Sequence, residues 1–174
     1  MAPSGRDERA WVRAAQAGSS SALEALYRAH WARAYRAAYL VVHDAAGAED
    51  IAQEAFLAAV RALDRFDRRR PFGPWLHRIV VNRAIDWARA RSLRAEVEAD
   101  ESLPADVDPP AELPALVRAL AALPPEQRAV IVLRHLLEYT PGEIAAMLGL
   151  PRGTVNSRLR RGLDALAEKM EEER

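Results

Sequence analysis

Four arginines fall within the stretch TPGEIAAMLGLPRGTVNSRLRRG, between Thr140 and Gly162. Arginine binds phosphate oxygens and can hold guanine through two parallel hydrogen bonds, and asparagine can do the same with adenine. Hydroxyl groups also bind phosphates. The chemistry that this stretch could perform is therefore recognition of a nucleic acid. The residues concerned are Arg152, Thr154, Asn156, Ser157, Arg158, Arg160 and Arg161.

Local signals predict the two helices that would present these side chains. Thr140 and Glu143 have the spacing of a capping box, which begins a helix. Gly149 can adopt the left-handed conformation that ends it. Pro151 then starts a second helix in which Val155 points inward. The pattern is typical of a helix-turn-helix, and the alternative is a solvated terminal helix whose arginines pair with nearby acids.

A second group of basic and aromatic residues begins at the loop DRRRPFGPW, residues 67–75. Cations can follow the phosphates of a single strand, and flat rings can stack on its bases. We therefore expect the loop and the helix after it to bind single-stranded DNA. Trp75 is equally compatible with a core position, and Trp87 is better explained as a core anchor. The expected contacts are Arg68, Arg69, Arg70, Trp75, Arg78, Asn82, Arg83 and Asp86.

Other classes of function find little support in the composition. The chain has no cysteine, and its four histidines form no pair with metal-ligand spacing. It has no glycine-rich phosphate loop and no nucleophile motif, so we expect neither an enzyme nor a cofactor. We also expect a cytoplasmic protein, because no apolar run approaches the roughly 20 residues of a membrane span and the N-terminus lacks a secretion signal.

The formal net charge of zero is the sum of opposed blocks. Residues 1–95 hold 16 basic and 10 acidic residues, residues 96–116 hold 7 acids and no base, and residues 117–174 hold 9 basic and 8 acidic residues. The acidic block contains four prolines between Glu96 and Pro114. Proline removes helical donors and like charges repel each other, so we expect a flexible, extended linker here.

The pattern in the rest of the chain predicts helices, so the fold class that we predict is all-α. Two small helical domains, residues 1–95 and 116–174, would be joined by the acidic linker at residues 96–115. The pattern shows a break at residues 43–47. The spacing of apolar residues and the positions of glycine and proline predict five helices before the helix-turn-helix. They cover about Ala22–Val42, Ala48–Phe66, a segment from Pro74 past Trp87, Ala115–Leu123 and Pro125–Leu137.

Three segments carry a resemblance to a known family. LPPEQRAVIVLRHLLEYTPGEIAAMLGLPRGTVNSRLRRGLDAL, residues 123–166, resembles the fourth conserved region of bacterial sigma factors of the extracytoplasmic-function (ECF) group. AEDIAQEAFLAAVRAL, residues 48–63, and FGPWLHRIVVNRAIDWARARSLR, residues 72–94, resemble the second region of the same group. The chain is thus similar to RNA polymerase sigma factors of the sigma-70 family.

The resemblance implies a protein that joins core RNA polymerase, through the β′ clamp helices and the β flap, and supplies promoter recognition. The second domain would read the −35 element in the major groove, and the first would bind the −10 element as it melts. An anti-sigma factor would hold the protein inactive. The polymerase-binding patch would be Glu49, Asp50, Gln53 and Glu54, although an acidic first turn favoured by the helix dipole would also explain Glu49 and Asp50.

The sequence departs from the pattern of the group at three points. Asn156 stands where a lysine is common, and Pro151 replaces a typical serine cap. Gly162 lies inside the second helix, where glycine costs about 1 kcal/mol relative to alanine. We therefore expect the recognition helix to end or bend near Gly162.

The sequence is also compatible with two other non-enzymatic functions. A stand-alone helix-turn-helix regulator would bind duplex DNA without polymerase, but such proteins usually need a dimer interface, and no heptad pattern supplies one. An all-α adaptor would bind only other proteins, which the arginine-rich segments argue against. A sigma factor would bind promoter DNA specifically only together with core polymerase.

Overall fold

The computed structural model describes the backbone of residues 5–101 and 115–172, and the side chains of residues 5–95 and 115–172. The described residues form helices and connecting turns, with no strand among them, so the all-α prediction is confirmed. The helices are α1 (Gly5–Gln16), α2 (Ser20–Val42), α3 (Ala45–Ala62), α4 (Phe72–Glu101), α5 (Ala115–Ala121), α6 (Pro125–Ile131), α7 (Pro141–Leu148) and α8 (Arg152–Glu172).

Helices α1 to α4 pack around α2, which contacts each of the other three. The buried face of α2 carries small residues, and Ala34, Ala37 and Ala38 have no exposed surface. Because alanine adds little bulk, α3 and α4 can approach α2 closely. Leu26 is buried together with these alanines, whereas Tyr27 is 40% exposed.

The boundaries of α3 differ from the sequence prediction. The side chain of Asp44 accepts a hydrogen bond from the Gly47 backbone N–H and caps a helix that begins at Ala45. The predicted break at residues 43–47 is therefore only two residues long. At its other end, α3 tightens into a 3₁₀ turn at Leu63–Arg65 before Phe66.

Helix α4 begins at Phe72, two residues before Pro74, and continues to Glu101. The prediction of an extended linker from residue 96 is therefore wrong for its first six residues. Glutamate and alanine are good helix formers, and no proline occurs in the sequence between α4's Pro74 and Pro104. Residues 102–114, the rest of the predicted linker, lie outside the described residues.

Helices α5 to α8 form the second half, in which α8 packs against α5, α6 and α7. The helix predicted over Pro125–Leu137 is confirmed in place, but it widens into a π-helical turn at Val132–Leu136 after α6. Helix α8 does not end or bend at Gly162, as the sequence suggested, but runs on to Glu172. Gly162 is buried, and a Cβ there would lie 2.8 Å from Ile131 Cδ1. Its missing side chain is what lets α6 approach α8.

The two halves pack against each other, and one arginine joins them. Arg128 of α6 is 8% exposed. Its guanidinium donates to the carbonyl oxygens of Val41, at the end of α2, of Ala121, the last residue of α5, and of Leu123, two residues later. It also lies 3.1 Å from Nδ1 of His43. Burial lowers the pKa of Arg128 to about 10, so the group is charged at neutral pH.

Further polar contacts cross between the halves, and two of them involve α4. Nδ1 of His77, a buried residue of α4, lies 2.7 Å from the Tyr139 hydroxyl. Arg89 of α4 donates to Glu126 of α6. Partial burial raises the pKa of Glu126, but the hydrogen bond from Arg89 and the charge of Arg158 outweigh burial and hold that pKa below its usual value.

Replacement of Gly47 by alanine should destabilise the protein by about 1 kcal/mol. The new Cβ would lie 2.7 Å from Cζ2 of Trp87, whose ring cannot bend away. Overpacking of this kind costs about 1–3 kcal/mol, more than the roughly 1 kcal/mol that alanine returns in helix propensity. Chemical denaturation would measure the change. The control is Gly142→Ala, where an added Cβ would have no atom within 4 Å beyond its chain neighbours and its own helix backbone. Equal stability of the two variants would contradict the packing argument.

The free energy of unfolding should fall by about 2 kcal/mol or more between pH 7.5 and pH 5. Burial lowers the pKa of His77 to about 4, and burial and the charge of Arg128 lower that of His43 to about 4. Histidine in an unfolded chain titrates near pH 6.5. Between these values the unfolded chain takes up protons that the folded chain does not, so stability is lost as the pH falls.

Urea unfolding of His77→Gln at several pH values would test this prediction. The variant should show a flatter pH profile than the wild type, and His135→Gln, at an exposed position, should not. An unchanged profile in His77→Gln would mean that protonation of His77 is not linked to folding.

Candidate nucleic-acid interface

The predicted helix-turn-helix is present at α7 and α8. The Glu143 side chain accepts from the Thr140 backbone N–H at 2.8 Å, and the Thr140 hydroxyl oxygen accepts from the Glu143 N–H at 3.3 Å, which completes the capping box. Gly149 ends α7 in the left-handed conformation, with φ 64°. Ile144 and Val155 are fully buried, so they hold the two helices together at the turn.

Packing of Val155, Leu159 and Gly162 against the rest of the second half leaves the opposite side of α8 in solvent. The seven side chains predicted to bind DNA all lie off that buried face. Arg161 is tied to Ser157, since its Nη2 donates to the Ser157 hydroxyl at 2.8 Å. Arg152, Asn156, Arg160 and Arg161 are exposed, while Thr154, Ser157 and Arg158 are half-buried.

The arginine loop, residues 68–70, lies between the 3₁₀ turn and α4. All three arginines are exposed. Asp67 accepts from the backbone N–H of Arg69, and its carboxylate lies 3.2 Å from Arg69 Nε. These contacts fold the loop back on itself and hold the pKa of Asp67 below its usual value.

Trp75 stands beside this loop in an aromatic cluster. Its ring centroid lies 4.5 Å from that of Phe66 and 5.7 Å from that of Phe72. The ring is half-buried and borders an open crevice of about 570 Å³, which Arg70 and Arg78 also line. The crevice combines a flat ring with cations, so it has the chemistry to receive an unstacked base. Ala146 and Met147 of α7 border its far side.

The other predicted residues of α4 continue from this crevice along the helix. Asn82 lies four residues after Arg78, and Asp86 four residues after Asn82, so the three share one face of α4. Arg83 points differently, because its Nη1 donates to Glu54 of α3 at 2.8 Å. It thus connects the predicted DNA-binding face to the predicted polymerase-binding patch. Trp87 packs against Gly47 and lies under Arg91, as expected of a core anchor.

The predicted polymerase-binding patch is an exposed surface of α3. Glu49, Asp50, Gln53 and Glu54 all face solvent, and Gln53 donates to Glu49 at 3.2 Å. Because α3 begins at Ala45, its first turn contains no acid. The helix-dipole explanation of these carboxylates therefore loses its basis.

An apolar groove beside this patch was missed by the sequence reasoning. Val60 follows the buried Phe56 by one helical turn, but Val60 is 44% exposed, and Leu57 is 54% exposed. Exposed apolar side chains that share a groove are unfavourable in water and commonly mark a protein-binding surface. The groove, about 390 Å³, is lined by Leu23, Glu24, Tyr27, Gln53, Phe56, Leu57 and Val60.

Two negative findings concern the described residues. They contain no group of three histidine, cysteine or acidic side chains placed to hold a metal ion. None of the helices in that part of the chain is both long and apolar enough to span a membrane.

Comparison with known proteins matches both halves of the chain. The family model for sigma-70 region 2 matches residues 26–94, and that for sigma-70, region 4 matches residues 113–166. The ECF RNA polymerase sigma factor SigW of Bacillus subtilis is 32% identical over 153 residues, which cover 78% of this chain and 82% of SigW. The ECF RNA polymerase sigma factor SigM of Mycobacterium tuberculosis is 36% identical over 168 residues, which cover 94% of this chain and 86% of SigM.

A solved structure has a similar fold over nearly the whole length. CnrH, in the structure of its complex with the cytosolic domain of CnrY, superposes with a TM-score of 0.74 at 29% identity. The superposition covers 97% of this chain and 99% of CnrH. With both regions present and the same arrangement of helices, the chain belongs to the ECF group of RNA polymerase sigma factors of the sigma-70 family.

Proposed function

We propose that this protein directs promoter-specific transcription initiation by joining core RNA polymerase, reading the −35 element with α8 and binding the melted −10 element with the arginine loop and α4. Residues 1–95 would form the polymerase- and −10-binding domain, and residues 116–174 the −35-binding domain. The observation that carries the proposal is the exposed basic face of α8 directly after a capped helix and a left-handed turn. The protein acts by binding, in the cytoplasm, and performs no chemical step of its own.

Recognition of the −35 element divides between two kinds of contact. Arginine side chains on the flanks of α8 hold phosphates, which fix the register of the helix in the major groove but carry no sequence information. Asn156 and Arg160 stand one turn apart on the exposed face, where they can reach base edges. Each well-formed base contact contributes about 1–3 kcal/mol of discrimination.

Binding of the −10 element offsets the cost of opening the duplex. Extruding a base costs a few kcal/mol, which the protein must return through new contacts. Trp75 supplies a stacking surface, and Arg70 and Arg78 supply cations at the same crevice. Asn82 and Asp86 offer polar groups farther along α4 to the neighbouring bases.

Docking on core polymerase uses the outer face of α2 and α3. The polar patch of Glu49, Asp50, Gln53 and Glu54 adjoins the apolar groove, and Gln53 belongs to both. This combination of an apolar centre and a charged rim is typical of protein interfaces. By analogy with the sigma-70 family the partner is the pair of β′ clamp helices, while the second half contacts the β flap.

An anti-sigma factor is the second protein partner that we propose. The solved relative CnrH is described in complex with the cytosolic domain of CnrY. The apolar groove and the base-binding crevice are both exposed in this chain, so a partner that covered either surface would block polymerase or DNA.

Run-off transcription with purified core polymerase and a library of genomic promoter fragments would test the proposed function. We expect transcripts from a small set of fragments only when both proteins are present. If this protein bound those fragments alone and repressed transcription by polymerase that already carries another sigma factor, it would be a stand-alone regulator and the proposal would fail.

A further inference from the structure

Helix α1 has no role in the function described so far, and it precedes both matched regions. Its place in the fold is nevertheless fixed at both ends. Gln16 donates from Nε2 to the carbonyl oxygens of Leu63 and Phe66, each at 3.0 Å. Near the other end, Oε1 of Glu8 accepts from the Phe72 backbone N–H at 2.7 Å. These bonds tie α1 to the two ends of the segment that contains the arginine loop.

This anchoring brings two arginines of α1 next to two of the loop. Arg9 and Arg13, one helical turn apart, line one open cleft of about 390 Å³ together with Arg68 and Arg69. All four residues are exposed. We name this feature the four-arginine cleft.

The positive charge of the cleft is largely uncompensated. Arg69 pairs with Asp67 at 3.2 Å. In the part of the chain that the structure describes, no carboxylate forms an ion pair with Arg9, Arg13 or Arg68. Converging like charges repel each other and attract an anion to the cleft. Four cations around one cleft fit a polyanion better than a single small ion.

The neighbouring crevice indicates which polyanion fits. Arg70 lines the base-binding crevice with Trp75, while Arg68 and Arg69, the residues just before it, line the four-arginine cleft. One short loop therefore borders both surfaces. The crevice contains aromatic rings that can stack on a base, whereas the cleft contains only guanidinium groups, which hold phosphates. A DNA strand that crosses the loop would meet both in succession.

We propose that the four-arginine cleft binds the sugar–phosphate backbone of the single strand whose base enters the neighbouring crevice, and that α1 is thus a DNA-binding element. The proposal rests on the proposed function. The contact is independent of sequence, because phosphates are identical at every step. Its effect is to hold the melted strand in place while the crevice and α4 read its bases.

The test uses holoenzyme assembled from core polymerase and the full chain, with a promoter fragment whose −10 region is mismatched and therefore already open. The variant is Arg9→Gln with Arg13→Gln. Each phosphate contact on a single strand contributes about 0.7 to the slope of log K against log salt. Loss of two contacts should lower that slope by about 1.4 and the affinity at 0.1 M salt by roughly 10-fold or more. The preference for an intact over a scrambled −10 sequence should not change.

Arg6→Gln is the matched control, since Arg6 is an exposed arginine of α1 that does not line the cleft. It should leave the slope as in the wild type. Circular dichroism and the unfolding midpoint would show that the double variant keeps its fold, as expected from the unaltered Gln16 and Glu8 anchors.

Two results would overturn the proposal. An unchanged slope and affinity in the double variant would mean that no strand lies in the cleft. A rise in DNA affinity would mean that the cleft holds an acidic segment of protein, which the arginines keep in place. Both results are read against a wild-type holoenzyme that selects its promoter. If the wild-type holoenzyme shows no selectivity, the proposed function itself fails. Failure of the proposed function can therefore be told apart from failure of the proposal for the cleft.

Discussion

Replacing Asn156 and Arg160 together with alanine should lower the affinity of the holoenzyme for its −35 element by about 30-fold or more. Both side chains are exposed on α8, one turn apart, on the side away from Val155 and Leu159. In the proposed interface both side chains contact bases, and removal of two such contacts at about 1–3 kcal/mol each gives this magnitude. The measurement is competition binding between fragments with an intact and a scrambled −35 sequence, which should become nearly equal in affinity for the variant.

The matched control for this prediction is Lys169→Ala. Lys169 is a half-buried cation of the same helix, nine residues after Arg160, and its removal changes the charge as Arg160→Ala does. It should leave the preference for the intact fragment unchanged. If the double variant kept the wild-type preference, α8 would not read the −35 bases and a different element would have to do so.

Arg128→Met should destabilise the protein by about 3 kcal/mol. Methionine fills much of the same volume but donates no hydrogen bond, so the carbonyl oxygens of Val41, Ala121 and Leu123 would stay buried without a partner. Each such group costs about 1–3 kcal/mol, and recovery of the arginine's own desolvation cost offsets part of the sum. The measurement is urea unfolding of the full chain at pH 7.5.

Buried ion pairs can often be replaced by apolar residues without loss, because both charged partners are removed together. Such a replacement of both partners is impossible at Arg128, because its acceptors are backbone carbonyl groups, which no substitution removes. Arg134→Met is the control, because Arg134 is exposed and its only hydrogen bond among the described residues is a long one of 3.4 Å to the Tyr139 carbonyl. Equal stability of the two variants would show that the carbonyls find water when the guanidinium is absent.

The features of the fold that could be predicted from the sequence are those determined by residues within about one helical turn of each other. The capping box at Thr140 and Glu143 and the left-handed turn at Gly149 both have their cause in neighbouring residues, and both are present. The buried position of Val155 follows from the same local pattern. The exposure of the arginine loop was predictable for a similar reason, because three successive cations cannot all be buried.

The features that the sequence could not supply depend on which helix lies opposite. Gly162 was expected to break α8, but its missing side chain is needed for the approach of α6. Val60 belongs to the apolar stripe of α3 by periodicity, but α2 and α4 do not cover it and it lines a groove instead. Arg128 carries no sequence signal of burial, because its acceptors are backbone carbonyls brought together only by folding.

In the candidate site, too, contacts between sequence neighbours could be predicted, whereas contacts between different helices could not. The sequence grouped Trp75 with the loop arginines by adjacency, but only Arg70 of the loop lines the crevice with it, whereas Arg68 and Arg69 line the four-arginine cleft. It placed Arg83 in the same set, although that side chain turns to Glu54 on α3. The part of α1 beside the loop was not anticipated, since nothing in residues 5–16 indicates that Gln16 and Glu8 bind the segment at 63–72.

An electrophoretic mobility shift would show directly whether this protein confers promoter recognition on core RNA polymerase. Promoter-length genomic fragments would be incubated with core polymerase, with this protein, and with both. We expect a sequence-selective shift that requires both proteins and is lost in the Asn156→Ala, Arg160→Ala variant. A selective shift by this protein alone, unaffected by core polymerase, would contradict this expectation.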